Sequence, residues 1–191
     1  MNILSKIDHA LFHFINGTIA NPILNWLMPI MTNENNVAIL LLLFWLWLLL
    51  FNGKRGKIAA ILLLFSIILT DVIAAQIIKP WVGRIRPSYA MADNINLLIG
   101  KGGKYSFVSN HAANTMSAAV ILGYFYKKWK NIAIAISLIV GFSRVYVGVH
   151  YPFDVLGGWI FGYSIAWGII CIWVILKIRE TKRGCTWINY T

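Results

Sequence analysis

Acidic side chains are scarce in this sequence. Six Asp and Glu stand against seventeen Lys and Arg, and charged residues of both signs make up only 12% of the chain. A soluble domain carries roughly 25% charged residues, so the chain is too poor in charge to clothe an ordinary water-facing surface. The shortage also argues against a metal centre built from carboxylates: only Asp93 and Asp154 fall near the residues singled out below. Cysteine is rarer still. Cys171 lies in the last apolar run and Cys185 in a basic tail, which is neither a disulfide framework nor a metal-binding spacing. The chain does not open with a basic stretch and a compact apolar segment, so no cleavable signal peptide is expected. Basic residues interleaved with aromatics are missing too, and no nucleic-acid partner is expected despite the net charge of +11.

What the sequence has instead is hydrophobicity, 59% of its 191 residues, in long uncharged runs. Val37 to Phe51, Ile58 to Thr70, Asn131 to Ser143 and Val155 to Leu176 contain no charged side chain. A membrane-spanning helix needs about 20 mostly apolar residues. With neutral flanks, the runs predict five spans, at 36–52, 57–79, 111–127, 131–149 and 153–177. The first 32 residues read differently. Leu4, Ile7, Leu11 and Ile15, with Ile3 and Phe14 beside them, form one helical face opposite polar positions, which predicts an amphipathic helix lying in the interface. His9 and His13 are four residues apart on it; with no third ligand nearby they read as part of that interfacial face. The expected fold is therefore all-α: one membrane-embedded domain over 1–191, with an interfacial segment at 1–32 and a helical bundle at 36–177.

The basic residues orient the bundle. Lys54, Arg55 and Lys57, then Lys127, Lys128 and Lys130, then Lys177, Arg179, Lys182 and Arg183 all fall on one face. The positive-inside rule makes that face cytoplasmic. The opposite face holds the 80–110 loop, the turn near Tyr151 and the N-terminal segment. Several cations remain there, and an anionic ligand would explain them.

Three pieces of sequence converge on that outer face: Lys79 through Arg86-Pro87, then Ser109-Asn110-His111, then Ser143-Arg144 through His150 and Asp154. Lys79, Arg86 and Arg144 supply cations for a phosphate, whose transition state spreads charge over its non-bridging oxygens. The start of the third span adds helix N-terminal amides near Ser109 and Asn110. His150 and Asp154 are four apart with Pro152 between them, so the carboxylate can orient one imidazole nitrogen and leave the other to attack phosphorus. His111 can serve as general acid on the leaving oxygen, then as base on water. Arg84 stands open between head-group contact and simple snorkelling. Asp71, inside the second span, reads as a carboxyl hydrogen-bonded to Thr70, Ser66 or a neighbouring helix.

Together the three pieces resemble the signature of the type 2 phosphatidic acid phosphatase family, relatives of the vanadium haloperoxidases, with patterns K-x6-R-P, P-S-G-H and S-R-x5-H-x3-D. Lys79, Arg86 and Pro87 match the first, and Ser143, Arg144, His150 and Asp154 the third. The second departs at Val108 and Asn110 and keeps Ser109 and His111. The resemblance implies phosphate binding by Lys79, Arg86, Ser109 and Arg144. It also implies His150 as nucleophile, His111 as general acid, Asp154 as orienter, and neither metal nor cofactor. Arg84 and Asn110 are candidate head-group contacts. The expected activity is hydrolysis of a phosphomonoester or diphosphate on a membrane lipid through a phosphohistidine, with lipid A 1-phosphate or a polyprenyl diphosphate favoured. Phosphatidylglycerophosphate or phosphatidate is the alternative substrate, and an anionic-lipid-binding protein the alternative outside enzymes. The expected location is the bacterial cytoplasmic (inner) membrane, with the site facing the periplasm or exterior.

Overall fold

The structure, a computed structural model, describes residues 3–185, with the backbone alone at 34–37. Nine α-helices are described: α1 (Ile3–His13), α2 (Pro22–Thr32), α3 (Glu34–Phe51), α4 (Gly53–Val72), the short α5 (Lys79–Val82) and α6 (Pro87–Ala90), α7 (Asn110–Phe125), α8 (Lys130–Tyr146) and α9 (Pro152–Lys182). A π-helical stretch, Ile73–Ile78, joins α4 to α5 without a break. Among the described residues the sole β-feature is one antiparallel bridge, Ile85 to Tyr105, which closes the base of the 80–110 loop.

Among the described residues, two stretches are long and apolar enough to cross a membrane, Gly53–Val82 and Pro152–Lys182; a shorter apolar helix covers Ala38–Phe51. The spans expected at 111–127 and 131–149 correspond to α7 and α8, helices of 16 and 17 residues. At 1.5 Å per residue each reaches about 25 Å, short of a full hydrocarbon core of about 30 Å. Large apolar side chains face outward along most helices, including Leu40 to Leu43, Phe65, Ile160 and Ile175. Among the described residues, outward apolar side chains of this number suit a lipid phase better than water.

α7 is the central helix and packs against α4, α8 and α9. Its α9 face is made of small residues. Gly162 of α9 lies so close that an added Cβ would come within 2.0 Å of the Ala113 carbonyl. Without Cβ in the way, the backbones meet, as at small-residue interfaces between membrane helices. Polar pairs tie the same helices: Ser66 bonds Ser117 between α4 and α7, and Thr115 bonds Ser137 at 3.0 Å between α7 and α8. Asp71 accepts from the Asn110 and Asn114 amides of α7 at 2.6 and 3.3 Å. Its partners are on the neighbouring helix, one of the arrangements expected for it, and not Thr70 or Ser66.

The N-terminal segment is amphipathic as expected, with Ile3, Leu4, Ile7, Leu11 and Phe14 exposed. Its other face does more than rest on an interface. Phe12 and Asp8 are buried against the start of α9, Phe12 with Ala112, Val145, Tyr151 and Val155. Asn16 ties the 80–110 loop to the end of α8. It donates to the carbonyls of Asn96 (2.8 Å) and Tyr146 (2.7 Å), and accepts from the Asn96 N–H at 2.9 Å.

Candidate active site

The ends of α5, α7, α8 and α9 gather at one end of the bundle, and each delivers part of the expected constellation. Lys79 begins α5 and is half-buried. Ser109 is the N-cap of α7 and is buried, and its main-chain N–H donates to the Asp154 carbonyl at 3.0 Å. That bond, made possible by the tight α7–α9 contact, fixes the start of α7 against the start of α9. The Ser109 hydroxyl itself is buried without a hydrogen-bond partner. A buried hydroxyl costs free energy unless something satisfies it, and a phosphate oxygen would.

Arg144 lies in the last turn of α8, 7% exposed, and donates to the Thr32 hydroxyl at 2.6 Å. Arg86 is equally buried. Its Nε donates to the Tyr105 carbonyl at 3.0 Å, and its main-chain N–H to the Lys104 carbonyl at 3.1 Å. Gly102 makes room for its head: with φ +69° it carries no Cβ, and one placed there would lie 2.3 Å from Arg86 Nη1. Burial works against the Arg86 charge, and the Asp154 carboxylate supports it.

His150 sits in the turn before α9, 1% exposed. Burial first, and then the cations Arg86, Arg144 and Lys79, hold its pKa well below the ordinary 6.5; a main-chain hydrogen bond with Ser106 acts the other way. The imidazole is therefore neutral near neutral pH, the form with a lone pair to give. His111, in the first turn of α7, is half-buried and within electrostatic reach of His150 and the same three cations. Among the described residues, no three His, Cys, Asp or Glu side chains gather into a metal-ligand cluster.

Asp154 departs from the simple picture. His150 Nδ1 and Asp154 Oδ2 are 3.7 Å apart, adjacent but beyond hydrogen-bond length. Both carboxylate oxygens are engaged elsewhere: Oδ2 accepts the Tyr151 main-chain N–H at 2.8 Å, and Oδ1 accepts from Arg84 Nη1 at 2.8 Å. Arg84, left open between head-group contact and snorkelling, has internal partners in the fold. Its guanidinium turns inward, joins Asp154 to Asp8 (Nη2 to Oδ2, 2.5 Å) and lies 4.1 Å over the Tyr151 ring. Two buried carboxylates outbid solvent and lipid for it. Asn110 gives one of its amide N–H groups to Asp71. His9 contacts the Tyr151 ring at 4.8 Å and the Ser5 carbonyl at 2.8 Å.

Sequence reasoning missed three contributors. Asp8 is buried at the site, Thr32 holds Arg144, and Ser106 is buried where it acts on the electrostatics of both His150 and Asp154. Asp8 carried one signal, an acid on the polar side of a helix in a chain nearly without acids. Thr32 and Ser106 carried none.

A family model described as the PAP2 superfamily matches residues 59–178. The lipid A 4'-phosphatase of Bacteroides thetaiotaomicron is 31% identical over 174 residues, 87% of this chain and 77% of its own. The undecaprenyl-diphosphatase of Sulfolobus acidocaldarius is 34% identical over 119 residues, 62% of this chain and 57% of its own. Among solved structures, LpxE of Aquifex aeolicus superposes with a TM-score of 0.72 at 25% identity, covering 86% of this chain and 94% of that one.

Proposed function

The chain belongs to the PAP2 superfamily and is a membrane lipid phosphatase, a phosphoric monoester hydrolase; from that premise we propose that it acts through a phosphohistidine on His150. The observation that carries the reading is the placement of a neutral, buried His150 among Lys79, Arg86 and Arg144. A phosphoryl group held by those cations and the unpartnered Ser109 hydroxyl puts phosphorus in front of the imidazole.

In the first step the free His150 nitrogen bonds phosphorus while the bond from phosphorus to the lipid oxygen breaks. His111 gives that oxygen its proton. The cations offset the charge on the phosphoryl oxygens. In the second step His111 takes a proton from water, the water oxygen bonds phosphorus, and the bond to His150 breaks, releasing phosphate. The only proton carrier in the cycle is His111, and no metal is required.

The favoured substrate is a lipid A-type phosphomonoester, because a relative matched over most of both chains is a lipid A 4'-phosphatase. A polyprenyl diphosphate is the second reading, favoured by the undecaprenyl-diphosphatase match. The proposed bundle has five spans, α3, α4–α5, α7, α8 and α9, in the bacterial inner membrane. The site opens to the periplasm.

The test is phosphate release in detergent from lipid A phosphates, a polyprenyl diphosphate and phosphatidylglycerophosphate, with and without EDTA. The wild type should hydrolyse one class at a rate unchanged by chelator, and His150→Ala should release nothing. Activity surviving in His150→Ala would sink the phosphohistidine, and loss with EDTA would sink the metal-free cycle.

A further inference from the structure

We propose that Asp8, on the N-terminal helix, is a positioning residue of the active centre: through Arg84 it sets the place of the Asp154 carboxylate behind His150. The inference rests on the phosphatase reading of the site. Asp8 lies outside the stretch 59–178 matched by the family model.

Asp8 is 1% exposed, on a helix whose Ile3, Leu4, Ile7 and Leu11 face outward. A helix that needed only to lie in an interface would turn this carboxylate to water. Instead both oxygens are engaged inside. Oδ2 accepts from Arg84 Nη2 at 2.5 Å, and Oδ1 accepts from the Phe153 main-chain N–H at 2.9 Å. Phe153 lies in the first turn of α9, where N–H groups lack partners within the helix. Asp8 therefore grips the same helix start that carries Asp154.

Arg84 is the link. One nitrogen goes to Asp8 and the other to Asp154, with the guanidinium plane resting on Tyr151. Tyr151 is in turn packed by His9 and Phe12 of α1. Held from two sides, Arg84 makes a single contact with Asp154 and leaves Oδ2 on the His150 side. Without the Asp8 charge, Arg84 is released to engage Asp154 with both arms of its fork, the geometry guanidinium and carboxylate prefer. The carboxylate would then turn from His150 and be more fully neutralised. The imidazole would lose its support in the step where it carries the phosphoryl group.

A purely structural role, anchoring α1, predicts something else: lost stability with the chemistry of folded molecules intact. The experiment compares wild type, Asp8→Asn, Arg84→Met, the double variant, and Phe12→Ala in detergent with a lipid phosphate substrate, reading kcat, KM and Tm. Phe12→Ala loosens the docking of α1 and leaves the carboxylate in place. Asp8→Asn should lower kcat about 100-fold, the scale of an ångström-sized misplacement, with KM within about twofold. In the Arg84→Met background it should cost nothing further, because two residues acting through one contact are not additive. Phe12→Ala should lower Tm, with kcat falling far less than in Asp8→Asn. Independent, multiplying effects of Asp8→Asn and Arg84→Met would overturn the proposal, as would an Asp8→Asn variant that loses Tm alone. A wild type that releases no phosphate would instead overturn the phosphatase reading beneath it.

Discussion

His150 is a histidine that folding keeps neutral, and its pH behaviour follows. Its pKa lies well below 6.5 because it is buried and faces Arg86, Arg144 and Lys79. In the unfolded chain it takes up a proton near 6.5, while in the folded chain it does not. Below 6.5 the unfolded state therefore binds more protons, and stability falls as pH drops from 6.5 toward the folded value. His150→Gln removes this group, so its Tm should decline less than that of the wild type between pH 7 and pH 5, read by thermal unfolding in detergent. Equal declines would mean the imidazole is not the group concerned. His111 has a different task. His111→Ala should reduce kcat by about 10² to 10⁴, the range for general acid–base catalysis. The loss should be smaller for a substrate with a good leaving group, such as an aryl phosphate, which needs no proton. A uniform loss across leaving groups would argue against the acid role.

At the scale of elements, the contact between α7 and α9 brings Ser109 and His111 to His150 and Asp154. Gly162→Ala would press a Cβ into the Ala113 carbonyl and should cost about 1–3 kcal/mol, the usual range for overpacking. The same shift would move the start of α7 from that of α9, so kcat should fall with Tm. Unchanged Tm and kcat would show that the helices can part without consequence. The 80–110 loop makes a separate prediction. Gly102 combines a left-handed backbone with contact against the Arg86 head. Gly102→Ala should strain the turn by about 1–2 kcal/mol and displace Arg86. A higher KM for the lipid phosphate is expected, and an unchanged KM would separate Gly102 from the phosphate site.

For the whole molecule the question is which way it faces. Arg55 lies over the Tyr126 ring at 4.9 Å, and Arg55, Lys127, Lys128 and Trp129 line one cavity of about 380 Å³. Two of the three basic clusters thus meet at the same end of the bundle. With Cys171 and Cys185 replaced by Ala, a single cysteine at Asp93 should react with an impermeant maleimide in intact cells. One at Lys128 should react only after the membrane is opened. The reverse pattern would put the site in the cytoplasm.

Membrane character and an all-helical chain were legible in the sequence for physical reasons, and so was the catalytic set proposed above. Apolar runs of spanning length have few other uses, and Lys79, Arg86, Ser109, His111, Arg144, His150 and Asp154 stand at spacings that little else demands. Alternation of spans across the membrane places the distant pieces at one end of the bundle. The partners of the charges were not legible. Arg84 reads from sequence as a surface cation because spacing says nothing of Asp8, 76 residues earlier. Asp71 finds Asn110 and Asn114, and Arg144 finds Thr32, across helix contacts of equally long range. Which residues are catalytic depends on chemical type, and type is written along the chain. Which neighbours hold them in place depends on how helices pack in three dimensions, through small residues and buried charges that must each find a partner, and only the tertiary structure decides that.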